Sequence, residues 1–223
     1  MAISDFDFLE EEPPAEPEVR ISGPSIRLPE PRRSGLLSLE QAIQQRRSRR
    51  EFRKDPLTLE EVAQLLWSAQ GVTNPEGLRS VPSAGATYPL ELYLLVDYVR
   101  SLSAGLYHYV ARENALVRCR SGDLLPHLLR ATRGQDWIAG ASAVILIAAN
   151  PSRTRAKYGD RGDRYTHFEV GHAAQNVCLQ CEALGLCTAD VGAFDDGAVH
   201  RLLELKEEEV PLCLLPVGRP ANR

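Results

Sequence analysis

Residues 46–50, Arg46-Arg47-Ser48-Arg49-Arg50, put four arginines and a serine into five consecutive positions. Arginine presents a planar fork of donors that matches phosphate oxygens, and a serine hydroxyl adds one more. Positive charge this dense needs anions to offset it: a bound phosphate, a nucleic-acid backbone, or only water and salt. A second run with chemical possibilities is Pro82-Ser83-Ala84-Gly85-Ala86-Thr87-Tyr88-Pro89. Its small residues let backbone approach a flat ligand closely, and Gly85 opens dihedral space that other residues avoid. Lys157-Tyr158 stands in a third, charged stretch, residues 153–164.

Other combinations carry less. Cys178 and Cys181 have redox or zinc spacing, but they fall inside an apolar-periodic helix rather than after a strand, and no second pair accompanies them. They read as buried structural cysteines. His167 and His172 are five apart, so a helix would not bring them to one face as metal ligands. No G-x-S-x-G, G-x-G-x-x-G or Walker loop is present. The net charge of −4 argues against a dedicated nucleic-acid binder. No apolar run reaches the ~20 residues of a membrane span. Five cysteines without framework spacing, and no signal-like N-terminus, point to reduced thiols and a cytoplasmic protein.

The elements that must position these residues are legible in order. Residues 1–35 read as an acidic, proline-rich tail or arm, in which Ile21, Ile26 and Leu28 could serve as anchors. Ser38-Leu39-Glu40-Gln41 and Thr58-Leu59-Glu60-Glu61 are capping boxes, each opening a helix. The basic cluster therefore sits at the C-terminal end of the first helix, where cations are favoured. Gly71 ends the second helix, and the 72–89 loop follows. Strands are expected over 90–96, 106–110, 115–119, 143–149, 186–191 and 211–217, with the all-apolar 143–149 run at the sheet centre. Asp123 and Asp195 open two short helices. A long, largely buried helix covers 165–184, where Phe168, Val170, Ala173, Ala174, Val177, Cys178, Cys181 and Leu184 recur at helical spacing before Gly185. With 223 residues and a 43% hydrophobic share, this order gives one α+β sandwich around a mixed, mainly antiparallel sheet over 36–223.

Seven segments in order then carry a resemblance. They are Arg46-Arg47-Ser48-x-Arg50-x-Phe52, Pro82–Glu91, Lys157–Arg161, Gly171-His172-x-x-Gln175-Asn176, Ala183–Leu186, Gly192–Asp195 and Pro216–Pro220. From about Leu36 to Pro220 the chain resembles the FMN-dependent nitroreductase superfamily, and within it the SagB-type, azoline oxidase-like dehydrogenases. The resemblance implies an α/β/α sandwich whose long helix lies in the interface of a homodimer that shares two FMN sites. It implies that Arg46, Arg47 and Ser48, with Arg219, hold the phosphate–ribityl end, and that Arg50 faces the N1/O2 edge of the ring. Pro82, Ser83, Ala84 and Gly85 would pack on the ring from the partner subunit, and Gly192 and Ala193 would offer backbone groups near N5 and O4. Lys157 and Tyr158 would take a substrate proton while hydride leaves to the flavin. Alanine precedes that pair where leucine is frequent in the family.

Three readings follow. The first is an FMN-dependent dehydrogenase that oxidises an azoline or similar cyclic imine, borne by a small molecule or a modified peptide. The alternative is an NAD(P)H-dependent reductase of nitroaromatics or quinones, with Lys157-Tyr158 incidental. The third is a non-catalytic binder of phosphate or nucleic acid, which the acidic charge and the lack of alternating aromatic and basic residues disfavour. No membrane partner is expected.

Overall fold

The computed structural model describes residues 25–221. The acidic run over 5–18 and Ile21 lie outside them. Eight strands form one sheet in the order β1 (Ser25–Arg27), β5 (Ala115–Ser121), β4 (Gly105–Val110), β3 (Leu90–Val96), β6 (Ala143–Ala149), β8 (Val210–Pro220) and β2 (Phe52–Arg53). β7 (Cys187–Thr188) pairs with β8 off this path.

Strand β6 shows why the sheet is a middle layer. All seven of its residues are buried. With the period of two, Ala143, Ile145, Ile147 and Ala149 enter one core, and Val144, Leu146 and Ala148 enter the other. Each large side chain so buried contributes about 1.5–3 kcal/mol, so a polar residue in the strand would be costly on either face. Helices α2 (Leu59–Gln70) and α5 (Arg161–Leu184) cover the first face. Helices α3 (Leu125–Ala131) and α6 (Asp196–Leu203) cover the second. The result is an α/β/α sandwich.

Local signals set the helix ends. Ser38 and Thr58 complete reciprocal capping boxes with Gln41 and Glu61, opening α1 (Leu39–Gln45) and α2. Asn150 caps α4 (Pro151–Tyr158), and Pro151 at its first turn lacks only an N–H that has no intrahelical partner there. Gly185 closes α5 in the left-handed region at φ 67°.

Four expectations are corrected. Every pair of named strands is antiparallel, and the parallel component of the expected mixed sheet is one isolated bridge, Leu57 to Val99. The tail reaches the fold earlier than expected: β1 pairs with β5, and Leu28 is buried. A three-residue strand between prolines is too short to show alternation, so only the edge it meets reveals it. The expected 186–191 strand shortens to β7 plus a bridge from Val191 to Leu214. Helix α5 is buried on one face only, and Phe168 points outward, 55% exposed.

All five cysteines are unpaired, and Cys178, Cys181, Cys187 and Cys213 are buried. Burial pushes the Cys181 thiol well up and that of Cys178 to about 11, as suits structural rather than reactive cysteines. Among the described residues no helix is long and apolar enough to cross a membrane, and no cluster of metal-ligating side chains occurs.

Candidate functional site

Lys157 and Tyr158 occupy the last turn of α4, which Gly159 ends at φ 58°. Lys157 is exposed and Tyr158 half-buried. The Tyr158 ring meets Tyr165 of α5 edge-on, with centroids 5.1 Å apart. The 82–88 turn comes to the same place. A Cβ on Gly85 would lie 2.7 Å from the Tyr158 hydroxyl and 2.8 Å from Lys157 Cδ. Gly85 thus answers two requirements, a close approach and a left-handed φ of 60°.

That turn is strained and tied down. Ala86 and Tyr88 also have positive φ, at 53° and 43°. A tyrosine in this region is a costly conformation that the surroundings must hold. Thr87 and Thr154 share a buried hydroxyl contact at 2.9 Å. Arg153, from the first turn of α4, donates to the Tyr88 carbonyl at 2.8 Å and pairs with Glu91 on β3. Burial opposes charge on Glu91, but His108 and Arg153 together hold its carboxyl below the ordinary carboxylate value. One arginine therefore links the helix that carries Lys157 and Tyr158 to the turn facing them, by its hydrogen bond to Tyr88, and to strand β3, by its ion pair with Glu91.

The basic segment lies at the other end of α5. The Arg47 N–H donates to Glu182 at 3.3 Å, and the Arg49 guanidinium pairs with the same carboxylate at 2.6 Å. The Arg49 N–H donates to the Thr188 carbonyl at 3.1 Å. The Arg50 guanidinium lies 5.6 Å from the Trp137 ring centroid, over its face. Gln135, two residues before Trp137, donates to the Ala193 carbonyl at 2.8 Å. Arg50 and the exposed Gly192–Ala193 pair are therefore organised around one segment, Asp136–Gly140 and its cap. Arg219 stands across β2 from Arg53, and its guanidinium pairs with Glu61 at 3.0 Å. It ties the end of β8 to the start of α2.

Residues 46–50 are chemically suited to a phosphate-bearing group. The Arg47 and Arg49 backbone is fixed through Glu182 and Thr188. Among the described residues the Arg46 guanidinium and the Ser48 hydroxyl donate no hydrogen bond to another side chain or carbonyl. Both remain available to an anion.

The expected site residues thus form two groups. Pro82, Ser83, Ala84 and Gly85 meet Lys157 and Tyr158. Arg46, Arg47, Ser48 and Arg50 share their end of the sheet with Gly192, Ala193 and Arg219. About 25 Å of helix separates Tyr165, which carries Tyr158, from Glu182, which carries Arg47 and Arg49. One chain does not bring the two groups together.

Trp137, Arg153, Glu169 and Glu182 organise these groups without a motif to announce them. Only Glu169 left a signal, a charge on the α5 face that carries Thr166, Val170 and Ala173.

An antiparallel sheet between helical layers, with a fixed arginine–serine segment at one end of the long helix, is the frame of a family of oxidoreductases. Residues 43–219 match the nitroreductase family, and the chain belongs to it. It is 47% identical over 183 residues to a protein of Methanocaldococcus jannaschii named as a candidate nitroreductase, covering 82% of this chain and 91% of the relative. A crystal structure of a candidate nitroreductase from Ralstonia eutropha JMP134 superposes with a TM-score of 0.79 at 29% identity, covering 89% of this chain and 90% of the other. The Microcin B17-processing protein McbC of Escherichia coli is 27% identical over 168 residues, 70% of this chain and 60% of McbC.

Proposed function

We propose that the protein is an FMN-dependent reductase of nitroaromatics or quinones that uses NAD(P)H as electron donor. The similarity to two candidate nitroreductases, which covers most of each chain, supports this activity over the azoline dehydrogenase. One observation carries the cofactor assignment: the 46–50 segment is held through Glu182 and Thr188, while Arg46 and Ser48 keep donors for an anion. When bound, FMN supplies the two-electron chemistry that these side chains cannot.

The chain's own residues set its environment. Arg46, Arg47 and Ser48 would hold the phosphate end. Arg50, kept in place by Trp137, would supply a fixed cation where negative charge develops. Gly192 and Ala193 would give backbone contacts without a side chain in the way. Arg219 would reach the phosphate only by sharing its charge with Glu61.

The two groups of site residues also favour a homodimer. A two-fold axis near the middle of α5 would set one copy's arginine segment beside the other's Lys157 and Tyr158. Gly171 and Gln175 lie exposed on the helix between them, and nothing approaches within 4 Å of a Cβ on Gly171.

A second reading, an azoline dehydrogenase of the SagB type, is favoured by one contact. Gly85 brings the Tyr158 hydroxyl and the Lys157 side chain to one side of the turn, where the pair would take a proton from the substrate. The test is anaerobic addition of NADPH to protein purified with its flavin. Rapid bleaching of the flavin absorbance is expected, with Tyr158→Phe bleaching as fast. No bleaching by NADPH or NADH overturns the reductase and leaves the dehydrogenase. A colourless protein that stays so after incubation with FMN and desalting overturns both.

A further inference from the structure

Glu169 is 2% exposed in α5 and has no part in the chemistry above. Its face of the helix would suit an apolar side chain. A carboxylate there is tolerated only if its oxygens find partners. Glu169 Oε1 accepts from Gln70 Nε2 at 3.3 Å, and Ser83 faces the carboxylate closely enough to favour its charged form. Among the described residues the groups facing it are Gln70 from α2, and Arg79 and Ser83 from the segment after it. Arg79 is itself held: it donates to the Gln70 backbone and side-chain oxygens at 3.4 and 3.3 Å, and stacks 4.8 Å over the Tyr88 ring.

Ser83 makes the link. A hydroxyl has one proton to give and lone pairs to accept with. Giving its proton to Glu169 leaves a lone pair for the Tyr88 N–H, which donates to Ser83 Oγ at 2.9 Å. The three left-handed residues, Gly85, Ala86 and Tyr88, fall in or at the end of the stretch these two residues bracket. Arg153 fixes the same turn from its other side, through the Tyr88 carbonyl.

We propose that Glu169 is a positioning residue: from beneath the 82–88 turn it sets Ser83, which clamps Tyr88 and so holds Gly85 against Lys157 and Tyr158. This rests on the reading of that pair as site residues. The clamp responds to protons. Burial pushes the Glu169 carboxyl up to about 7, against the opposing effects of Ser83, Gln70 and Arg79. The ionised carboxylate accepts from Ser83 strongly, and the neutral acid does so weakly, so the turn is held more firmly above neutral pH than below it.

Hydrogen exchange of the Tyr88 amide tests this without reference to catalysis. It is followed in the full-length protein at pH 5.5, 7 and 8.5, corrected for intrinsic exchange, with Glu169→Gln and Ser83→Ala beside the wild type. Wild-type protection should fall roughly tenfold from pH 8.5 to 5.5, as for the loss of one hydrogen bond to a charged group. In Glu169→Gln protection should not change with pH, and in Ser83→Ala it should be low throughout. A Glu169→Gln variant that titrates like the wild type, or a Ser83→Ala variant that keeps wild-type protection, overturns the clamp. If the clamp behaves as stated but the flavin experiment fails, the reading of the site is at fault and not the clamp.

Discussion

At residue 169, burial and charge oppose each other, and the conflict is measurable as stability. The folded protein holds the Glu169 proton up to about pH 7, against an ordinary value of 4.5. Between those values the folded state binds more protons than the unfolded one, so stability falls as pH rises. The contribution is fully present below 4.5 and lost by about pH 8, a change on the order of 3 kcal/mol. Glu169→Gln keeps the shape and cannot titrate. Urea unfolding of both proteins at pH 4.5 and 8 should show the wild type losing stability relative to the variant by roughly that amount. A constant difference across the range would mean that the carboxyl is not held neutral. At this scale Lys157 and Tyr158 could be singled out from the chain itself, and Glu169 only as an oddity, because its partners Gln70 and Ser83 are about 100 residues away in sequence.

At the scale of elements, the basic segment owes its placement to a side chain that does no chemistry. Phe52 packs between two glycines: a Cβ on Gly218 would lie 2.8 Å from its ring, and one on Gly140 3.3 Å from its Cβ. It stacks on Trp137 at 6.0 Å, and Trp137 in turn lies under Arg50. Phe52→Ala would remove this half-buried ring and cost about 2 kcal/mol, below the range for a fully buried phenylalanine. The stability loss should appear as a lower Tm. The affinity for FMN, followed by quenching of its fluorescence, should weaken about tenfold as the 46–50 segment loosens. Unchanged affinity would show that Glu182 and Thr188 suffice to hold it.

For the whole molecule, the separation of the two site groups along α5 makes assembly and cofactor binding one question. Position 171 is exposed, a Cβ there would meet no heavy atom within 4 Å beyond the helix's own backbone, and tryptophan suits a helix better than glycine, so the fold should survive. If the proposed dimer and its shared site are right, Gly171→Trp should nevertheless run as a monomer on gel filtration with light scattering, where the wild type runs at twice 24.7 kDa, and should not retain FMN. A monomer that kept its colour would sink the shared site.

The sequence by itself determined the elements whose causes are local. The capping boxes at Ser38 and Thr58, the apolar run of β6, the left-handed glycine after α5 and the arginine–serine run depend on neighbours within a few residues. Their order was enough to reveal the family. The tertiary structure alone decided what depends on distant partners. Strand β1 exists because the edge of β5 is open to it. Phe168 faces outward because α5 has only one face toward the sheet. Gly85 reaches Tyr158 because Arg153 ties α4 to the turn. Arg219 reaches Glu61 because β8 ends beside α2. Contacts between residues so far apart leave no periodicity to read, because their energy is realised only when the chain has closed around them.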